Sequence, residues 1–441
     1  MKWPMISIYD GQMGRTSKEE TDRVLSELKG YGINTIHAFL ALWRPDPARY
    51  EGTRLKPGWD VDEEKVASSE YFLARAHELG FEVHVPLSPF STSHHFRIPL
   101  EHKDVFCEDL YGRLDWRWAC PNNPDVRERA CAFIEEYFSN YEIDGIILDF
   151  IRFREMAVGP DKYNICFCPH CRSKAKQLGY DLDRLREGVK AFVEYLYNLP
   201  RKDLMKFISS PRGPGDFLLD FYFRFPEVLE WLRFRCECIT EVVRELRNVV
   251  KAASGGRGAL GANTYEPLGA NSYLVGQDYR SLSRYLDYFE PMVYYKDMIL
   301  HPVGSMVSIL RHNPEIGEGE ILRAYYKMFH LGEYDKPTTL EEILSTGGFP
   351  AGIVYAACER IREMVGPDVR VCALLYTSKD EPSYNYWVDG KVGTRPRINV
   401  EFVKECVRMV KKAGFSSIGY FTYQSTPKEF LEAAVQAWNE P

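Results

Sequence analysis

Short apolar runs alternate with longer amphipathic stretches along most of this chain. The first run, 6–10, precedes a stretch in which apolar residues recur at helical spacing and which ends on Gly30. The apolar runs are predicted as strands: 6–10, 34–42, 81–87, 144–150, 258–265, 288–295, 369–376 and 416–423. The amphipathic stretches are predicted as helices: 17–30, 62–79, 125–141, 226–250, 279–286, 351–364, 400–412 and 427–438.

Strands separated by helices predict a parallel sheet with right-handed crossovers, and eight such units are typical of a (β/α)8 TIM barrel. The main rival is a doubly wound open sheet, which usually carries a glycine-rich phosphate loop after its first strand. Residues 10–14, DGQMG, match that loop poorly. The (β/α)8 barrel is therefore the predicted fold.

The spacing of the strands predicts two large insertions. About 105 residues separate Phe153 from Gly258, and about 70 separate Tyr295 from Val369, whereas a crossover needs roughly 10–30. We expect one catalytic barrel over 1–441, with insertions at 154–225 after strand four and at 296–350 after strand six. Both follow carboxyl ends of strands, the rim where barrels carry their active sites.

Composition narrows the class of protein. The 441 residues are 45% hydrophobic and 27% charged, which excludes a disordered or fibrous chain. A net charge of −7 argues against nucleic acid as the main partner. No apolar run reaches the roughly 18 residues of a membrane span, and the first residues read as strand, so we expect no membrane partner and a cytoplasmic location. Whether the chain forms a homo-oligomer is left open.

Two carboxylates interrupt apolar strands. Asp149 follows the apolar run 146–148, and Glu290 lies within the sixth strand. Burying a charge in such a strand is costly unless it is paired or functional. The structural alternatives are an ion pair of Asp149 with Arg152 or Arg154, and a buried pair for Glu290. Two carboxylates from nearly adjacent strands suit glycoside hydrolysis, in which one is the acid/base and the other the nucleophile or base.

Other polar and aromatic residues fall at the same predicted rim. Flat aromatic faces beside hydrogen-bonding groups suit the apolar faces and hydroxyl edges of sugars. The candidates for binding a carbohydrate substrate are Asp10, His37, Trp43, Arg44, His84, Trp116, Trp118, Arg152, Asn263, Tyr265, Glu266, Tyr294, Tyr423 and Gln424.

Several stretches resemble a known group of proteins. Residues 122–127 (NNPDVR) and 144–153 (DGIILDFIRF) resemble the uncharacterised glycoside-hydrolase-like TIM-barrel families, distant relatives of the α-galactosidase and α-amylase barrels. Residues 275–279 (VGQDY) and 287–294 (DYFEPMVY) resemble their sixth-strand region. The resemblance covers strands three to six. It implies a glycosidase with Asp149 as the nucleophile and the acid/base near Glu290.

A chitinase-type barrel is the nearest alternative within this group. Its fourth strand carries a DGxDxDxE pattern, of which Asp144, Gly145 and Asp149 match. Ile147 and Ile151 stand where the second aspartate and the catalytic glutamate belong. Substrate-assisted acetamido chemistry is therefore not expected at this motif.

A cysteine cluster lies in the first predicted insertion. The chain has 11 cysteines, an odd number that argues against complete disulfide pairing. Cys166, Cys168, His170 and Cys171 form a dense set of zinc-type ligands. Similar clusters follow strand four in the families named above. We expect a structural zinc ion and no cofactor for catalysis, with reduced or disulfide-linked cysteines as the alternative. Adjacent His170 and Cys171 rarely bind together, so the fourth ligand stays open among Cys107, Cys120, Cys236 and Cys238.

The leading hypothesis is a retaining glycoside hydrolase that cleaves an oligo- or polysaccharide or glycoconjugate. One alternative is a metal-dependent hydrolase of the deacetylase or amidohydrolase type, with ligands from His37, His84, His94, His95 and Asp10. Another is a non-catalytic carbohydrate-binding barrel. The fold by itself decides among none of these.

Overall fold

The computed structural model shows how the strands assemble. It describes residues 1–11, 17–41, 45–56, 61–92, 98, 101–154, 166–210, 215–268, 271–329, 331, 337–342, 351–377, 387–388, 391–392 and 398–441.

Parallel strands close into a barrel. They are β1 (Ile6–Asp10), β2 (Thr35–Ala38), β3 (Glu82–Leu87), β4 (Gly145–Leu148), β5 (Ala259–Tyr265), β6 (Tyr288–Met292), β7 (Ala373–Tyr376) and β8 (Ile418–Phe421). Each strand pairs in parallel with its neighbours along the chain, and β8 closes on β1, where Ser7 lies beside Gly419. The predicted (β/α)8 barrel is confirmed.

Helices cover the outside of the barrel and build the insertions. Those of the described ranges are α1 (Lys18–Gly30), α2 (Glu63–Glu78), α3 (Pro124–Asn140), α4 (Pro169–Leu178), α5 (Leu182–Tyr197), α6 (Arg201–Ser209), α7 (Gly215–Arg224), α8 (Pro226–Ala253), α9 (Asn271–Leu274), α10 (Tyr279–Leu282), α11 (Tyr295–His312), α12 (Glu318–Met328), α13 (Gly352–Val365), α14 (Val400–Lys412) and α15 (Lys428–Asn439). Side-chain caps start several of them: Ser17 accepts from the amide of Glu20 at α1, and Asn123 accepts from that of Asp125 at α3. None of the described helices is long and apolar enough to cross a membrane.

The segment between β3 and α3 contains strands, although none is predicted there from the sequence. It contains an antiparallel hairpin in which Phe106–Glu108 pairs with Leu114–Ala119. The strands are short, and the second alternates tryptophan with charged residues, so its pattern is weak in the sequence. The sixth predicted strand also ends early: it stops at Met292, and α11 begins at Tyr295.

The helices α4 to α7 lie between β4 and α8, and α11 and α12 follow β6. The two sets of helices meet where α6 packs against α12. There the guanidinium of Arg201 donates to Glu320 at 2.6 Å. The helices that follow β4 therefore contact the helices that follow β6.

The inside of the barrel is unusually polar. Apolar side chains such as Met5, Ile147 and Leu374 pack there, yet Glu290 and His37 are also completely buried inside. Outward-facing apolar residues of the strands pack against the helices in the main core. A barrel interior is normally filled by branched apolar side chains, so buried charge here points to a special role.

Gly261 is required by close packing inside the barrel. A Cβ atom at this position would lie 2.1 Å from Cζ of Tyr288, and the Tyr288 hydroxyl is held by Nδ1 of His84 at 2.7 Å. We expect Gly261→Ala to lower the free energy of unfolding by about 1–3 kcal/mol, because the ring cannot move away without losing that bond. Urea unfolding followed by circular dichroism measures the change. Gly319→Ala, where nothing lies within 4 Å, is the matched control; equal stability of the two variants contradicts the prediction.

Candidate active site

Asp149 stands at the mouth of the barrel, directly after β4. Its amide donates to the carbonyl of Leu87 at 2.8 Å, and its Oδ1 accepts from the amide of Phe150 at 2.9 Å. The side chain is partly exposed. Phe150 has φ 50°, and among the described residues it is the one non-glycine with positive φ. Such strain often occurs at functional sites, where the surrounding structure fixes an unfavourable backbone. The turn holds the Asp149 carboxylate in place at the rim.

Arg152 sits in an aromatic box beside Asp149. Its guanidinium lies 4.5 Å from the ring centre of Phe150, 4.9 Å from that of Tyr265 and 5.5 Å from that of Trp118. Trp118 also donates its indole N–H to the carbonyl of Arg152 at 2.9 Å. The structure therefore brings together three of the predicted binding residues. They are the buried cation Arg152 and the aromatic side chains of Trp118 and Tyr265 that surround it. The other arginine considered as a partner for Asp149, Arg154, is paired with Asp115.

Tyr9 is a site residue that the sequence analysis did not select. Its ring packs 4.8 Å from that of His37 and 5.1 Å from that of Phe421. Asn263 donates its side-chain N–H to the Tyr9 hydroxyl at 2.5 Å. Burial raises the pKa of Tyr9 well above its usual range, and the nearby charges of Glu290 and Asp149 raise it further. Tyr9 is thus a phenol at every working pH, and its O–H hydrogen remains available to donate.

Glu290 is enclosed inside the barrel with no exposed surface. Its Oε1 accepts from the Ser7 hydroxyl at 2.6 Å and from Nε2 of His37 at 2.8 Å. Oε2 has no hydrogen-bond partner in the described part of the chain. A sugar bound at the mouth cannot touch this carboxylate in the observed conformation. The position therefore differs from the one expected for an acid/base that contacts the glycosidic oxygen.

The second barrel histidine is electrically neutral. Burial lowers the pKa of His84 to about 3, and the neighbouring His37, whose ring centre lies 5.7 Å away, adds to the effect. Its Nδ1 is hydrogen-bonded to Tyr288. Within the described ranges, the one group of side chains arranged to hold a metal ion consists of cysteines. His37, His84 and Asp10, the described ligands of the metal-dependent alternative, do not form such a group. His94 and His95 lie outside the described residues.

An aromatic wall forms the opposite side of the mouth. The Tyr294 ring centre lies 5.6 Å from that of Tyr376 and 5.6 Å from that of Phe421. Phe421 in turn contacts the ring of Tyr9, so this wall is continuous with the side chains inside the barrel. Tyr376 and Phe421 are not among the predicted binding residues, although Tyr376 ends the seventh predicted strand and Phe421 lies within the eighth.

Two predicted binding residues that follow β8 are bonded to neighbouring side chains. The Tyr423 hydroxyl donates to Glu27 on α1 at 3.0 Å. Gln424 donates to Asp10, the third predicted residue of this edge. These contacts tie β1 and β8 to the helical layer.

The remaining predicted residues have other positions. Trp116 is 42% exposed and packs on Phe106 in the hairpin. Glu266 accepts from the amide of Leu268 and from the side chain of Asn271, both at 2.7 Å, and so holds the loop after β5. Trp43 and Arg44 lie outside the described residues.

The cysteine cluster contains a ligand from the hairpin side. The sulfur atoms of Cys120, Cys166, Cys168 and Cys171 all lie within 4.8 Å of one another, and all four residues are buried. His170 is not among them, because its Nε2 accepts from Asn123 at 3.0 Å. Of the open candidates for a fourth ligand, the structure brings Cys120 to the cluster.

Three solved structures share this architecture over nearly the whole chain. The glycoside hydrolase domain of PgaB (BpsB) from Bordetella bronchiseptica is 11% identical, with a TM-score of 0.56 over 98% of this chain and 96% of that one. A class V chitinase from Pseudomonas fluorescens Pf-5 is 12% identical, with a TM-score of 0.50 over 99% and 100%. The catalytic domain of a beta-amylase from Paenibacillus polymyxa is 11% identical, with a TM-score of 0.52 over 98% and 97%.

These similarities confirm the expected resemblance to glycoside-hydrolase barrels at the level of the fold. No protein-family model and no curated protein sequence matches the chain. The activity must therefore be argued from the site itself.

The low pKa of His84 predicts how stability depends on pH. An unfolded chain binds a proton at this histidine near pH 6.5, whereas the folded protein binds it near pH 3. Between these values only the unfolded state is protonated, so the free energy of unfolding falls as the pH falls, by up to about 1.4 kcal/mol per pH unit from this group. Urea unfolding between pH 7 and pH 4.5 should show that slope reduced in His84→Asn. Parallel curves for the parent and His84→Asn contradict the assignment.

Proposed function

We propose that this protein is a glycoside hydrolase whose substrate binds at the mouth of the barrel, with Asp149 as the carboxylate that faces the anomeric carbon. The observation that carries the proposal is the partly exposed Asp149 carboxylate, fixed at the end of β4 by the strained turn at Phe150. The neighbouring glycoside-hydrolase folds and the resemblance of the 144–153 segment support the same class of reaction.

The surfaces on either side of Asp149 suit a sugar ring. On one side lie the partly exposed rings of Phe150 and Tyr265, which pack on the buried Arg152. On the other lies the wall of Tyr294, Tyr376 and Phe421. Aromatic faces pack against the apolar C–H faces of a pyranose, while nearby N–H and O–H groups bind its hydroxyls.

Tyr9 contributes a hydrogen-bond donor inside the barrel, where it is 1% exposed. Because Asn263 already donates to its oxygen, the phenol can direct its own hydrogen towards Asp149, whose charge acts on it. The charge of Glu290 helps to keep Tyr9 protonated. We therefore assign Glu290 a positioning role: it acts through Tyr9 and His37, without touching the substrate.

In the proposed reaction, an Asp149 oxygen forms a bond to the anomeric carbon while the bond from that carbon to the leaving oxygen breaks. The leaving oxygen takes a proton from a general acid. A water molecule then attacks the same carbon, the ester bond to Asp149 breaks, and the water's second proton passes to the conjugate base of that acid. The product keeps its anomeric configuration.

Asp149→Asn is expected to abolish hydrolysis, with kcat lowered about a thousandfold or more, because a neutral amide cannot attack the anomeric carbon. Activity is measured as release of reducing ends from polysaccharides and of nitrophenol from a panel of aryl glycosides. Asp149→Gly with added azide should recover turnover and yield a glycosyl azide of inverted configuration.

Asp144→Asn is the matched control, since Asp144 lies just before the same strand at the opposite end of the barrel, bonded to His77. This variant should keep its activity. Full activity of Asp149→Asn would remove Asp149 from the reaction. Binding without turnover across the whole panel would favour a carbohydrate-binding barrel.

Glu290→Gln separates a positioning role from an acid/base role. Glutamine keeps an oxygen that accepts from Ser7 and His37 but loses the charge that acts on Tyr9. We expect kcat to fall by similar factors for 2,4-dinitrophenyl and unactivated glycosides. An acid/base role instead predicts that the dinitrophenyl substrate, which needs no proton, is spared by about a hundredfold or more relative to the unactivated one. Tyr9→Phe should show the same uniform loss as Glu290→Gln.

A further inference from the structure

We propose that Cys120, Cys166, Cys168 and Cys171 form a closed four-thiolate site for a single zinc ion. The site joins the hairpin after β3 to the insertion after β4. It does not depend on the proposed hydrolase activity, and its ligand set differs from the one the local sequence favours, because Cys120 takes the place of His170.

The spacing of the sulfur atoms fits one metal ion. The Cys120 sulfur lies 3.5 Å from that of Cys171 and 3.4 Å from that of Cys168. Four thiolates about 2.3 Å from a tetrahedral zinc ion lie about 3.8 Å apart. A disulfide requires about 2.05 Å, and all of these cysteines are free.

Backbone N–H groups and one side-chain N–H group donate hydrogen bonds to the sulfur atoms. The amide of Glu108 donates to Cys166 at 3.3 Å, and that of Asn122 donates to Cys120 at 3.4 Å. The Asn122 side chain donates to Cys171 at 3.3 Å. Donors of this kind stabilise thiolates and orient metal ligands.

The start of α4 adds to this effect. Cys168 is its N-cap residue and Cys171 lies in its first turn. The positive end of the helix dipole favours thiolates at these positions.

A buried cation accompanies the cluster. Arg235 of α8 is 1% exposed, packs on the rings of Trp231 and Phe153, and interacts electrostatically with Cys236, Cys107, Cys171 and Cys166. Burying a guanidinium is costly unless negative charge lies nearby. Four thiolates around a divalent ion carry a net charge of −2, which such a cation offsets in part, whereas four neutral thiols would offer it nothing comparable.

The zinc site would hold one wall of the candidate active site. Cys120 lies two residues after Trp118, whose indole binds the carbonyl of Arg152. On the other side, the amide of Phe167 donates to the carbonyl of Glu108 at 2.9 Å, so the two segments also pair through their backbones. With all four positions filled by cysteine and no exposed ligand, the ion has a structural role.

The test measures metal in the full chain, without any substrate. Elemental analysis of protein purified in zinc-containing medium should give one zinc ion per chain. Cobalt substitution should produce the intense visible bands of tetrahedral thiolate coordination. Cys120→Ser should lose the ion and lower Tm, while His170→Ala and Cys406→Ser, a buried cysteine on α14, should keep it.

A measurement on the parent protein covers the case in which Cys120→Ser fails to fold. Titration of the native protein with a mercurial should release the zinc ion as four thiols react, detected with a metallochromic dye. A metal-free native protein, disulfides among these four residues in its peptide map, or metal lost in His170→Ala but kept in Cys120→Ser overturns the proposal.

Discussion

A buried carboxylate, that of Glu290, links three strands inside this barrel through its hydrogen bonds. Glu290 has no exposed surface, and its charge is met by the Ser7 hydroxyl on β1 and the His37 imidazole on β2. Leaving a charge of this kind unpaired costs several kcal/mol, on the order of 3–5, so the three strands must keep these positions in register. The same charge acts on Tyr9, which also interacts with Asp149 at the rim. The polar interior and the candidate site therefore depend on one another.

The rim above is built with little freedom. Asp149 is held by β3 and by the turn at Phe150, and Arg152 is held by aromatic faces on three sides. Groups on strand ends and packed turns keep their geometry better than groups on free loops. This matters for catalysis because a small displacement of a reacting group lowers the reaction rate. The positive φ of Phe150 shows that this placement of the carboxylate strains the backbone.

The barrel could be predicted because alternating strands and helices leave a strong pattern, and Asp149 because a carboxylate ends an apolar run. The direction in which each side chain points could not be predicted from the sequence. Strands buried on both faces lose the alternation that separates inside from outside, so Asp10 was chosen at the end of β1, whereas Tyr9 faces the interior and Asp10 binds Gln424. The depth of Glu290 depends on the stagger of neighbouring strands, which a single strand's sequence does not contain.

The cysteine cluster also shows that contacts between residues distant in the sequence could not be predicted from local spacing. The local spacing places His170 next to three cysteines, but the capping turn at Asn123 binds its imidazole, while Cys120 arrives from beyond the hairpin. Ligand choice is thus decided by tertiary structure. A metal at this point would cross-link the rim next to Arg152, while the Glu290 network fixes the strands below. Two independent constraints, one on the loops and one on the strands, would then meet at Asp149, where the proposed chemistry requires a fixed carboxylate.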